Sequence, residues 1–95
     1  MRVISNKALV DFAIGHPGAG DVLQAWRKLL ESATVANFAG LRTLLNSVDK
    51  VGDYVVFDIG GNKYRIVAAV HFNRRLVYVR HVFTHAQYDR WSRQR

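Results

Sequence analysis

Three polar side chains near the C-terminal end, His85, Tyr88 and Asp89, are spaced i, i+3 and i+4, so one helical turn would bring them together. A carboxylate beside an imidazole orients the ring and supports proton transfer near neutrality, and a tyrosine adds a hydroxyl and a flat face. Upstream, Arg65 and Arg80 sit in segments of strand-like composition. A proton carrier among guanidinium groups suits one metal-free reaction of RNA, the attack of a 2′-hydroxyl on its adjacent phosphate. That reaction needs a proton acceptor, cations around the pentacovalent phosphorus and a donor for the leaving 5′-oxygen. His85, Arg65, Arg80 and Tyr88 are the candidates. The same spacing also fits a plainer arrangement, in which Thr84-His85 caps a helix and Asp89 pairs with an arginine. Metal-dependent phosphodiester hydrolysis is disfavoured, because residues 63–95 contain Asp89 as their single carboxylate. His81 and His85 have the i, i+4 spacing of helical zinc sites, but a strand-to-turn junction separates them and no third ligand is evident. The expectation is no metal and no cofactor.

The chain has 95 residues and a formal net charge of +7. Residues 1–62 balance Arg2, Lys7, Arg27, Lys28, Arg42 and Lys50 against Asp11, Asp21, Glu31, Asp49, Asp53 and Asp58. Residues 63–95 set Lys63, Arg65, Arg74, Arg75, Arg80, Arg90, Arg93 and Arg95 against Asp89 alone, so the whole excess lies in the last third. Positive charge confined in this way gives the salt-sensitive attraction for phosphates that marks nucleic-acid binders. Lys63, Arg74, Arg75 and Arg90 are the candidates for holding RNA around the reacting groups. Among the interleaved aromatics, Tyr88 and Trp91 are those to consider for base stacking, with a core position equally open to Trp91. The bland alternative is a solvated sheet face with a basic tail.

These groups must be positioned by one small domain spanning 1–95, since the length leaves room for one core. Half the residues are apolar (49%), 22% are charged and one is proline, a globular balance. The lack of cysteine excludes disulfides and thiolate metal sites and favours a reducing, cytoplasmic setting. The apolar run Ala8–Ile14 is interrupted by Asp11 and falls well short of a membrane span, so it reads as a helix and no membrane association is expected.

Arg2-Val3-Ile4 reads as a short strand, and Ser5 or Asn6 caps a helix with Ala8, Leu9 and Phe12 on one side, ended by Gly15-His16-Pro17-Gly18. Asp21 with Gln24 predicts a capping box opening a second helix, whose Leu23, Trp26, Leu30 and Ala33 form one stripe. Asn37 starts a third helix with Phe38, Leu41, Leu44 and Leu45 inward. From Val48 the period becomes strand-like: 48–51, 54–59, 63–72 and 76–83 are separated by Gly52-Asp53, Gly60-Gly61-Asn62 and Asn73-Arg74-Arg75. Thr84 then caps a last short helical turn within 85–92. The fold class is α+β, with two or three N-terminal helices packed on one face of a four- or five-stranded antiparallel sheet.

Register decides whether Arg65 and Arg80 share a face. Pairing Phe72 with Arg75 puts Arg65 opposite Val82 and Arg80 opposite Val67, on one face; a one-residue slip puts His81 opposite Val67 instead.

Four segments resemble the signature segments of the HigB family of toxins in order and spacing. They are Arg2-Val3-Ile4-Ser5-Asn6-Lys7-Ala8-Leu9, Gly60-Gly61-Asn62-Lys63-Tyr64-Arg65, Val77-Tyr78-Val79-Arg80 and Thr84-His85-Ala86-Gln87-Tyr88-Asp89. The resemblance covers nearly the whole chain. It implies a RelE-like fold and a type II toxin that acts as an mRNA interferase, a sequence-tolerant endoribonuclease cutting mRNA on the ribosome. It also implies neutralisation by a HigA-type helix-turn-helix antitoxin. By motif position the family's active-site arginine and C-terminal tyrosine fall on Arg65 and Tyr88, and its Thr-His position falls on His85. The chain departs from RelE itself, which relies on several lysines where residues 63–95 offer Lys63 alone. The alternative reading is a non-catalytic basic module that binds nucleic acid.

Overall fold

The computed structural model describes residues 1–94, so Arg95, counted above in the basic tail, lies outside the described residues. In chain order the elements are β1 (Arg2–Ile4), α1 (Asn6–Gly15), α2 (Gly20–Ser32), α3 (Phe38–Leu44), β2 (Val48–Val51), β3 (Tyr54–Ile59), β4 (Tyr64–His71), β5 (Leu76–Thr84) and α4 (His85–Gln94). They form an α+β domain around a five-stranded sheet of order β1-β5-β4-β3-β2. The expected antiparallel meander is present from β2 to β5, but the sheet is mixed, because β1 pairs parallel with β5.

One sheet face carries Val48, Val55, Phe57, Ile66, Ala68 and Val77, all buried against Leu9 of α1, Leu23, Trp26 and Leu30 of α2, and Leu41 of α3. The apolar stripe foreseen for the second helix is this buried face, with Leu23 and Leu30 fully covered. Its N-terminus differs from expectation. The helix begins at Gly20, directly after a short 3-10 turn, which leaves Asp21 inside the first turn. Gln24 instead bonds Asn6 at 2.7 Å, tying α2 to α1. Asn37 caps α3 as expected, its side chain accepting from the Gly40 amide at 2.8 Å.

The helices do not all lie on one face. Alternation along the strands turns Val56 and Val67 to the opposite face, where both are buried without joining the main core. Helix α4 packs back onto β4 and β5, and its Trp91 meets Tyr54, His81 and Phe83 there. A second, smaller apolar layer thus fixes α4 to the face that carries Arg65.

Register follows neither simple alternative throughout. The β4–β5 hairpin closes with His71 opposite Leu76, so the connection is Phe72–Arg75 rather than a two-residue loop. Val67 then faces His81 while Ala68 faces Val79, which leaves Arg80 as the extra residue of a β-bulge.

Candidate active site

The site forms where the β3–β4 turn meets the start of α4. Gly60, Gly61 and Asn62 all have positive φ (64°, 61° and 76°), the conformation that glycine and asparagine tolerate best. This turn brings Asp58 and Arg65 opposite each other on adjacent strands. The backbone amide of His85 donates to the Lys63 carbonyl at 3.0 Å, so the first residue of α4 is anchored to the same turn. A reciprocal pair then fixes the helix start: the Thr84 amide donates to Gln87 Oε1 at 2.9 Å, and the Gln87 amide donates to Thr84 Oγ1 at 3.2 Å.

Arg65 is the hub. Its side chain is 11% exposed, and its Nη1 donates to Asp58 Oδ1 at 2.9 Å and to the backbone oxygens of Asn62 and Tyr64. Its Nη2 donates to Asn62 Oδ1 at 2.7 Å and to Nδ1 of His85 at 3.0 Å. A guanidinium has no acceptor, so Nδ1 of His85 must carry the lone pair and Nε2 the hydrogen. Nε2 lies 3.3 Å from Asp89 Oδ2. The result is a chain Asp58–Arg65–His85–Asp89, buried at the arginine and open at the imidazole, which is 51% exposed. Tyr88 closes the group, with the Arg65 guanidinium carbon 5.7 Å from its ring centroid.

His85, Tyr88 and Asp89 thus converge on one helical turn, and Asp89 pairs with His85 rather than with an arginine. Arg80 stands apart: it is the extra residue of the bulge, and its guanidinium lies over Tyr78, 5.3 Å from the ring centroid. No hydrogen bond, ion pair or ring contact joins Arg80 to Arg65, His85 or Tyr88. His81 stacks on Phe83 at 5.0 Å and also meets Trp91, so it is part of the packed aromatic layer and has different neighbours from His85. Trp91 belongs to that layer too.

A family model described as HigB_toxin, RelE-like toxic component of a toxin-antitoxin system, matches residues 19–91. The chain belongs to the HigB toxin family. An mRNA interferase toxin HigB of Escherichia coli is 33% identical over 92 residues, which is 94% of this chain and 88% of the relative. An mRNA interferase HigB of Shigella flexneri matches to the same extent, 33% over 92 residues, again 94% of this chain and 88% of the relative. A further mRNA interferase HigB, from another Escherichia coli strain, is 25% identical over 96 residues, 98% of this chain and 93% of the relative. As a HigB toxin, the chain is the toxic half of a pair and has an antitoxin as its counterpart.

The remaining cations of this HigB toxin do not form one patch. Lys63 lies in the turn beside Arg65 and is exposed. Arg74 and Arg75, also exposed, occupy the β4–β5 connection at the other end of β4. The eight residues of β4 separate the two ends by roughly 25 Å. Arg90 of α4 lines a cleft with Phe12 of α1, His16 just after that helix, and Val82 and Phe83 of β5. Two partners of Arg65 were missed in the sequence, Asp58 and Asn62. A signal was available for Asp58, because a hairpin closing around Gly60-Gly61 sets an acid directly across from an arginine. Among the described residues, no helix is long and apolar enough to cross a membrane.

Proposed function

We propose that this chain is an mRNA interferase that cuts RNA at the Arg65–His85–Tyr88 site by attack of a 2′-hydroxyl on its adjacent phosphate. In this reading it acts in the cytoplasm on messages held by the ribosome and is neutralised by a HigA-type helix-turn-helix antitoxin. The observation that carries the reading is the bond from Arg65 Nη2 to Nδ1 of His85 at 3.0 Å, backed by Asp89 on the other nitrogen. Without substrate, the lone pair that a base would use is covered by the guanidinium. A scissile phosphate is a stronger acceptor than a neutral imidazole and takes over the outer edge of Arg65. Nδ1 is thereby uncovered beside the phosphate that Arg65 holds.

The 2′-hydroxyl proton passes to Nδ1, and the 2′-oxygen bonds to phosphorus as the charge on the phosphorane is met by Arg65. The Asp89 carboxylate, 3.3 Å from Nε2, balances the imidazolium. The bond to the 5′-oxygen breaks, and His85 returns its proton to that oxygen, leaving a 2′,3′-cyclic phosphate and a 5′-hydroxyl. Tyr88 orients the substrate over the guanidinium. Lys63 holds the backbone next to the cut, with Arg74, Arg75 and Arg90 contributing at a distance. Asp58 and Asn62 keep the inner edge of Arg65 fixed while the outer edge changes partner.

Ribosomes programmed with a defined message, incubated with the purified protein, test this reading. Message cleavage that persists in EDTA is the expected result. Salt-dependent binding of RNA without cleavage on or off the ribosome would support the non-catalytic module and overturn the proposal.

A further inference from the structure

Tyr78 pairs with Ala69 and so lies on the sheet face that carries Arg65, with Arg80 over its ring. Arg80 is the unpaired residue of the bulge in β5 and is exposed. Bulges re-aim side chains, and here the guanidinium comes to rest over Tyr78, 5.3 Å from its ring centroid. His71, exposed on β4, meets the same tyrosine edge-on, with centroids 5.4 Å apart and planes at 83°. Tyr78 is thus held from two sides. Among the described residues Arg80 makes no ion pair or hydrogen bond, so its charge is uncommitted, in contrast to the fully engaged Arg65. From Ile59 to Tyr88 the chain contains no acidic residue that could neutralise it locally.

We infer that His71, Tyr78 and Arg80 form a second RNA subsite, which stacks one unpaired base of the message and holds its phosphate, away from the cut. The inference rests on the reading of the chain as an RNA-handling toxin and assigns Arg80 to substrate binding rather than to the phosphorane. A guanidinium over an aromatic ring can offer its free face to a base and its N–H edge to phosphate oxygens. The position suits a single strand running along the sheet. Tyr78 pairs with Ala69, four residues along β4 from Arg65, which is roughly 13 Å at the rise of a strand. That is about four stacked nucleotides at ~3.4 Å each, and fewer if the strand is stretched. Arg74 and Arg75 lie beyond it, in the direction the backbone would continue.

The test measures the affinity of short single-stranded RNA by fluorescence anisotropy across a salt series, for the full chain, Arg80→Gln and Tyr78→Leu. Loss of one stacked base is expected to weaken binding about 5- to 150-fold in Tyr78→Leu. Arg80→Gln is expected to weaken it and to lower the slope of log K against log salt by about 0.7, one phosphate contact. Arg80 is exposed, so that variant keeps the test informative if Tyr78→Leu fails to fold. An abasic nucleotide scanned along the RNA should cost the unaltered protein affinity at one position away from the cut and cost Arg80→Gln nothing further there. Unchanged affinity and slope in both variants, or losses that simply add at every position, would overturn the inference. Retained RNA affinity with lost antitoxin binding would assign the patch to the antitoxin and overturn it as well. Affinity is read without cleavage, so a failure of the catalytic proposal leaves this result separately interpretable.

Discussion

Nη2 of Arg65 donates to Nδ1 of His85 at 3.0 Å, which makes the arginine both a gate on the imidazole lone pair and the nearest cation to any phosphate that reaches it. The two side chains come from β4 and α4, twenty residues apart in sequence, and are joined because the Lys63 carbonyl accepts from the His85 amide.

Replacing His85 by asparagine separates positioning from proton transfer, since the amide oxygen can still accept from Arg65 while no group remains to carry a proton. Cleavage by His85→Asn is expected to fall about 10²- to 10⁴-fold, the usual worth of a general acid–base, with thermal stability and RNA affinity near those of the parent. A variant that cleaves at the parental rate would remove His85 from the chemistry.

Asp58→Ala removes the carboxylate that accepts from Nη1 of Arg65 at 2.9 Å, in a setting where the arginine side chain is 11% exposed. A stability loss of about 1–3 kcal/mol is expected in denaturant unfolding, the cost of an unsatisfied buried donor. Cleavage should fall further than stability accounts for, because the guanidinium is no longer held. Folded protein with full activity would show that Asp58 does not position it.

Thr84→Ala removes the acceptor for the Gln87 amide and should cost about 1 kcal/mol, as for other N-caps. The effect is expected to appear locally, as faster amide exchange in the first turn of α4, and as a reduced turnover from a less fixed His85. Uniform exchange rates across α4 in the variant would contradict that coupling.

Gly60→Ala places a Cβ 3.0 Å from the Tyr64 ring at a φ of +64°. An L-residue in that region costs about 1–2 kcal/mol before the contact is counted. A lowered melting temperature with a shifted Arg65 site is the expected outcome, and an unchanged one would mean that the turn can rearrange.

In the candidate site the geometry of α4 was legible because helical period is a strong constraint: His85, Tyr88 and Asp89 converge as their spacing requires. The turn signals at Gly52-Asp53 and Gly60-Gly61-Asn62 placed the strands to within a residue. Capping patterns were less decisive. Asp21 with Gln24 and Thr84 with Gln87 share the same spacing, yet only the second pair forms a reciprocal cap, because Gly20 already continues a preceding turn into α2 and Gln24 is drawn to Asn6. The bulge at Arg80 was not legible, since nothing in Val79-Arg80-His81 marks an extra residue and the register is set by packing on both faces. The burial of Arg65 was hidden for a similar reason: its partners Asp58 and Asn62 become neighbours only once the hairpin closes.

The central claim is that the RNA's own 2′-hydroxyl is the nucleophile, with its proton taken by His85. The most direct measurement is cleavage of a message carrying a single 2′-deoxy substitution at the mapped cut site, beside its all-ribose counterpart. The account predicts cleavage of the ribose message to a 2′,3′-cyclic phosphate and a 5′-hydroxyl, with the deoxy message intact at that position. Cleavage of the deoxy site would contradict it.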